Sequence, residues 1–324
     1  MNLARKVLLS LVAATGALSG VAQAADDGYL HEVQQWQQQR FQGLHNADGW
    51  LATTNSEALH KGTTLSIGSG ADQDVILLTG PAHLGNLTYA QDGSIRLTVD
   101  KGNKVTIDNP PAVPGNIEPV HIQGLYFFPD GEFKFEGLQT NPPPTIVHIN
   151  TATLKIYSYD GEMNAGEKRL LVTDTQSPRF TQFKAPEYFP IDPSWKVTAT
   201  VEPLKTPREV EVAYVQGRVE KVPLKSKVTF VHDGKTYQLL PYMQAQDGEM
   251  LFVFADGTSG HETYGGARFL ITEPAKDGKV VLDFNKAINP PCAFIPFPDC
   301  PIAIPDNRLK VRIEAGEKKI HEVI

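Results

Sequence analysis

Apolar residues first recur at helical spacing. Through "GYLHEVQQWQQQRFQGLHN" (28–46), Leu30, Val33, Trp36, Phe41 and Leu44 fall on one stripe between glutamines. That period predicts an amphipathic helix within residues 25–48, stopped by Asp48-Gly49, with its stripe packed on the domain that follows. Beyond it the period changes from helical to two. In "WKVTATVEP", "REVEVAYV" and "NRLKVRIEAG" apolar and polar side chains alternate as in half-buried strands. Asp-Gly pairs at 92, 130, 160, 233, 247 and 277 separate segments rich in Val, Ile, Thr, Phe and Tyr, and "LYFFPDGEFKF" and "VTFVHDGKTYQLL" read as hairpins. The expected fold class is mainly β, an N-terminal amphipathic helix followed by a β-sandwich and a second antiparallel β domain. Pro-rich stretches at 109–114 and 142–144 read as connections between strands.

Length sharpens that picture. A chain of 324 residues, 41 % of them hydrophobic, can bury a large core and exceeds what one β-rich domain needs. The expected organisation is a signal peptide over 1–24, the helix over 25–48, the sandwich over 49–170 and the C-terminal β domain over 171–324. The signal reading rests on Arg5 and Lys6, the apolar run from Val7 to Val21, and Ala22-Gln23-Ala24 as a small-x-small cleavage site, with cleavage after Ala24. The run is too short for a membrane span, and no later segment reaches the roughly 20 apolar residues one requires. A periplasmic or secreted protein is expected. The net charge of −7, spread without long runs, gives no footprint for nucleic acid.

"YFPIDPSWKVTATVEP", "FADGTSGHETYGGARFL" and "VVLDFNKAINPPCAFIPFPDCPIAIPDNRL", in this order, resemble the domain of unknown function 1684 family. The helix and the "DGWL" at 48–51 are similar to that family's N-terminal part, so the resemblance covers most of the expected mature chain. It implies a domain assignment and no reaction, substrate or cofactor. A second resemblance lies in "LSIGSGADQDVILL" (65–78). Ile67-Gly68 followed by Asp74-Val75-Ile76-Leu77 is similar to a block of the forkhead-associated domains, sandwiches that bind phosphothreonine. Ser69 stands where that family has an arginine, and "GPAHLGN" lacks its Ser-Arg-x-x-His pattern. Phosphate readout needs such charge-assisted donors, so a sandwich is expected here and phosphothreonine binding is not.

Candidate chemistry concentrates in the C-terminal part. Cys292 and Cys300 are the chain's two cysteines, and six prolines lie between Asn289 and Asn307. In an exported protein a disulfide is the leading reading, closing a rigid extended loop. The alternatives are a redox dithiol, which the spacing and the lack of a helix N-terminus disfavour, and a zinc site completed by residues such as His232 and His261, without a His-x₃₋₅-His pair to support it. The Gly-rich block 254–272 holds Asp256, Thr258, Ser259, His261, Glu262, Tyr264 and Arg268. Backbone amides and Arg268 there could bind an anion. Ser259, His261 and Glu262 are weak candidates for a hydrolase, since Gly-Thr-Ser-Gly is not a nucleophile elbow. The structural reading is a turn at Asp256-Gly257, hydroxyls capping the loop, and Arg268 paired with an acid such as Glu262.

Asp283 and Asn285 would share a face if their strand continues, and with Asn289, Arg268 and Arg308 they could line a polar cleft walled by Phe294 and Phe297. Equally, the asparagines could satisfy the backbone of the Pro-rich turn. Trp36, Trp50 and Trp195 read as core or interface anchors. The leading functional expectation is a small-ligand or partner-binding module with its site at Thr258, Ser259, Arg268, Asp283, Asn285, Phe294, Phe297 and Arg308. A periplasmic hydrolase and a structural envelope protein are the alternatives. No cofactor or metal is expected, and the partner is an unspecified small molecule or protein.

Overall fold

The computed structural model describes residues 27–108, 125–127, 132–133, 146–159, 168–244 and 248–320. The expected signal peptide, both Pro-rich connections and the Asp-Gly pairs at 130, 160 and 247 lie outside these residues. The architecture is mainly β with an N-terminal helix, α1, over residues 27–44. Val33 and Leu44 are buried and Leu30, Trp36 and Phe41 half-buried along its stripe, as the period requires. Among the described residues no helix is long and apolar enough to cross a membrane. The chain divides into two compact units: Leu44–Lys184, and Ala185–Val323 together with the chain up to Gly43.

In the first unit, β1 (Thr53–Leu59), β6 (Thr106–Asp108), β8 (Glu132–Phe133), β9 (Ile146–Ile149), β10 (Ala152–Tyr159) and β11 (Lys168–Asp174) build one sheet. The other comprises β2 (Thr63–Gly68), β3 (Val75–Ile76), β4 (Gly85–Tyr89), β5 (Ile95–Val99) and β7 (Leu125–Phe127). Leu154, Ile156, Leu170 and Val172 from the first sheet meet Ile67, Leu87 and Leu97 from the second in one core, which makes the unit a β-sandwich. A short helix, α2 (Pro178–Gln182), follows, capped by Ser177. Residues 65–78 run through the end of β2, its loop and β3, which pairs parallel to β2 through Ile67 and Val75. The expected 125–135 hairpin, described only at 125–127 and 132–133, divides instead: β7 pairs with β5, and β8 runs parallel to β10 in the other sheet. Its arms serve opposite layers, which alternation cannot reveal because either layer offers an apolar face.

In the second unit, β12 (Lys196–Ala213), β13 (Val219–His232), β14 (Lys235–Leu239) and β18 (Lys279–Asp283) form a four-stranded antiparallel sheet in the order β14-β13-β12-β18. A second sheet has the order β15 (Met243–Gln244), β16 (Met250–Phe254), β17 (Arg268–Thr272). Ala199, Val228, Phe230 and Leu282 of the first sheet pack with Phe252, Phe254 and Leu270 of the second and with Trp195 and Phe284. Asp233 and Gly234 have φ of 47° and 70°, the two positive values a type I′ turn needs, so the β13–β14 hairpin forms where expected.

"WKVTATVEP" and "REVEVAYV" prove to be halves of the single strand β12, broken by an irregularity between Pro203 and Arg208. Beyond it the distal hairpin carries its own apolar cluster, including Val210, Val212, Val222 and Leu224. "NRLKVRIEAG" also departs from expectation. Its burial alternates, but its backbone runs beside the 255–257 segment, with Leu309 N donating to Ala255 O (2.8 Å) and Gly257 N to Val311 O (2.7 Å), rather than in a sheet strand.

That tail turns at Gly316, whose φ is +79°. A Cβ there would stand 2.5 Å from Ala287 O and 2.7 Å from Phe284 O. Replacement Gly316→Ala combines a left-handed backbone with a collision against carbonyls, and should lower stability by about 1–3 kcal/mol in chemical denaturation. A change within about 0.5 kcal/mol would show that the turn relaxes freely.

Candidate functional site

The Gly-rich block is organised around Asp256. Its fully buried carboxylate accepts from Thr258 Oγ1 (2.7 Å), Ser259 Oγ (3.2 Å) and the Ile313 amide (2.5 Å). Arg268 Nη1 lies 3.5 Å from Oδ2, the oxygen that accepts from the Ile313 amide, while both hydroxyls go to Oδ1. The register pairs Arg268 with Phe254 at the inner end of β16–β17, so its side chain enters the core. It is 1 % exposed, and its guanidinium donates to Ile313 O (2.9 Å) and to Ala315 O. Burial pushes the Arg268 pKa down to about 10, opposed by the charges of Asp256 and Glu317, which leaves it a cation at neutral pH. The guanidinium is therefore engaged within the fold. Its carboxylate is Asp256 rather than Glu262, which pairs at the surface with Arg312 (2.5 Å).

Thr258 is buried and also bonds Thr263 (3.0 Å). Ser259 Oγ exchanges hydrogen bonds with Asp256, accepting from its amide at 3.0 Å, while His261 is exposed. Ser259, His261 and Glu262 are thus not brought together as nucleophile, base and orienting acid. Among the described residues no cluster of His, Cys, Asp and Glu is arranged to hold a metal, and His232 stacks on Trp195 with centroids 3.7 Å apart.

Asp283 and Asn285 do meet, by a different route from a shared strand face. β18 ends at Asp283, which caps a short 3-10 turn by accepting from the Asn285 amide (3.2 Å). Tyr29 of α1 then donates to Asp283 Oδ1 (2.7 Å) and accepts from Asn285 Nδ2 (3.0 Å). Burial, and then the adjoining carboxylate, push the Tyr29 phenol well above its ordinary pKa. About three helical turns further along, Arg40 pairs with Glu317 (2.9 Å), whose second oxygen accepts from the Asn289 amide (2.6 Å). Phe294 is buried, with the Arg40 guanidinium 5.7 Å from its ring centre. The sequence reading missed Tyr29, Arg40, Asp256 and Glu317 as partners. The signal for the first two was present: with Val33 and Trp36, they continue the buried stripe of α1.

Cys292 and Cys300 form a disulfide, Cα to Cα 6.2 Å. The loop it closes grips the tip of the β12–β13 hairpin. Gln216 Nε2 points at the carbonyls of Pro296, Phe297 and Pro298 (3.4, 3.0 and 3.3 Å), and Asp299 accepts from the Gln216 amide (3.0 Å) and Arg218 Nε (2.8 Å). Val215 N donates to Cys300 O (3.0 Å) and Ile302 N to Ala213 O (2.8 Å). Phe297, half-buried, contributes its carbonyl here, and the exposed Arg308 donates to Ala303 O (3.1 Å). Below the hairpin lies a shallow apolar pocket lined by Val212, Leu224, Tyr242, Val253, Ile302 and Ile304 among others. Its buried Asn307 is satisfied by the backbone of Leu240 and Val253. On the same sheet as Val253, Met243 and Ile271 flank Leu251 in register, 38 % and 53 % exposed.

Residues 181–318 match the family described as "Protein of unknown function (DUF1684)". The chain is also similar to an uncharacterized protein of Haloarcula marismortui solved by NMR in solution, at 30 % identity over 43 % of this chain and 78 % of that one, with a TM-score of 0.36. The chain belongs to the DUF1684 family. No curated protein matches it. The DUF1684 match takes in β12 to β18, the disulfide loop and the tail through Lys318.

Breaking the buried pair should be expensive. Arg268→Ala, which leaves Asp256 buried beside unpaired carbonyls, should lower stability by about 3–5 kcal/mol, whereas His261→Ala should stay within about 0.5 kcal/mol. Matched urea melts would check both, and a mild Arg268→Ala effect would show that water or another donor replaces the guanidinium.

Proposed function

We propose that this DUF1684 protein is an exported binding module that acts by docking a partner protein. Its site is the apolar face of β15–β16–β17, and its occupant is an extended apolar segment of the partner laid against the row Met243, Leu251 and Ile271. The observation that carries this reading is the continuity from the exposed pair Met243 and Ile271, through Leu251, to Val253 in the pocket wall. Exposed apolar rows that run into a recess are a common form of anchor-residue recognition. The recess beside the row is too small for a free small molecule, which supports a macromolecular partner laid along the row itself. Export enters through the N-terminal sequence, whose charged, apolar and small-residue segments read as a cleavable signal. The hydrogen bonds of Arg268 to the tail and of Ser259 to Asp256, with His261 exposed, favour binding over hydrolysis.

A photo-crosslinking residue at Gln244, introduced in cells that make the protein, should yield a discrete adduct. An extended apolar peptide should compete with it, Ile271→Glu should remove it, and the same probe at Thr236 should not produce it. Adducts of equal yield from Gln244 and Thr236, or none from Gln244, would sink the reading. Met243→Glu and Ile271→Glu should each lower stability by no more than about 1 kcal/mol, since both side chains are only partly covered.

A further inference from the structure

We infer that formation of the Cys292–Cys300 disulfide licenses the docking site, so that the site is loose in the reduced chain and set in the oxidised one. The inference rests on the site proposed above and concerns its control. The tip of the β12–β13 hairpin is bound by the disulfide loop through two kinds of contact. Carbonyls of Pro296, Phe297 and Pro298 surround Gln216 Nε2, and Asp299 holds both the Gln216 amide and Arg218. Backbone bonds then tie Val215 to Cys300 and Ile302 to Ala213. Proline carbonyls in a loop without a ladder of its own can converge on one amide group when the loop is held in a single shape. The cross-link supplies that restraint at a sequence separation of 8.

The clamp connects directly to the pocket. Tyr214, beside the tip, shares a 2.5 Å hydrogen bond with the Tyr242 hydroxyl, and Tyr242 lines the pocket immediately before Met243. Ile302 and Ile304, just beyond Cys300, form the facing wall. A loosened loop therefore frees one wall directly and the other through the hairpin tip.

The chemistry is an ordinary exchange with a disulfide-donor protein. The thiolate of Cys292, the half-exposed partner, attacks a donor sulfur, breaking the donor disulfide and forming a mixed one. That step releases the donor's other sulfur as a thiolate; the thiolate of buried Cys300 then attacks the Cys292 sulfur, closing the internal bond and expelling the donor sulfur held in the mixed disulfide as a second thiolate. Two thiols are oxidised, one donor disulfide is reduced, and the two protons pass to the donor thiolates. An oxidising compartment provides such donors, so the site would be set only after export.

Amide exchange of the full chain, oxidised and held reduced with dithiothreitol, tests this. The Val215, Gln216 and Ile302 amides should exchange about 10- to 100-fold faster when reduced, as expected for releasing so short a loop, while Gly257 and Leu309 keep their protection. The Gln244 adduct should be lost in the reduced form. Should the reduced chain fail to fold, the disulfide-intact variant Gln216→Ala with Asp299→Ala replaces it, with the same expected loosening and adduct loss. Equal protection at the hairpin tip in both forms overturns the clamp. Loosening with an undiminished adduct overturns the licensing while leaving the docking site in place. Loosening with no adduct in either form removes the docking site, and the licensing with it.

Discussion

The C-terminal unit depends on one buried ion pair. Arg268 and Asp256 sit where water cannot solvate them, and desolvating two such groups is costly unless geometry and further hydrogen bonds offset it. Here the carboxylate collects two hydroxyls and an amide, and the guanidinium collects two carbonyls while its buried Nε has no hydrogen-bond partner among the described residues. The carbonyls and the amide belong to a tail that has no strand partner on that side. The pair does for residues 313–315 what a neighbouring strand does elsewhere. Glu317 and Arg40 extend the series, so that buried charge alternates in sign and helix α1 is held by the same electrostatics as the tail.

This arrangement decides what remains for function. The residues that look reactive in the Gly-rich block are spent on holding loops, and the polar side chains at the end of β18 are spent on holding Tyr29. Among the exposed apolar side chains of this unit, Met243 and Ile271 flank Leu251 in one row, with a small recess beside it.

Much of the fold was legible because it follows from local patterns. The stripe of α1, the Asp233-Gly234 turn and the alternation within β12 each write their geometry into adjacent residues. The pairing of Cys292 with Cys300 was legible for a related reason, as the chain has no other cysteines to choose from. What local pattern could not give was the destination of a strand: β7 and β8 look like one hairpin and enter different sheets. Nor could it separate a ligand-binding arginine from a structural one. Arg268 sits among glycines and hydroxyls in the sequence, and its inward direction follows from its register opposite Phe254, a long-range fact. Asp283 and Asn285 were rightly grouped, but the turn after β18 joins them, and Tyr29 lies far away in sequence.

The sequence distance between α1 and its partners bears on the order in which the chain can fold. Tyr29 reaches Asp283 across 254 residues, and Arg40 reaches Glu317 across 277. Closing such spans has an entropic cost that nearby contacts do not carry, so the β13–β14 hairpin and its neighbours can form early while the helix must wait. The helix precedes every strand in synthesis, yet its binding groove is complete only when the tail has been made.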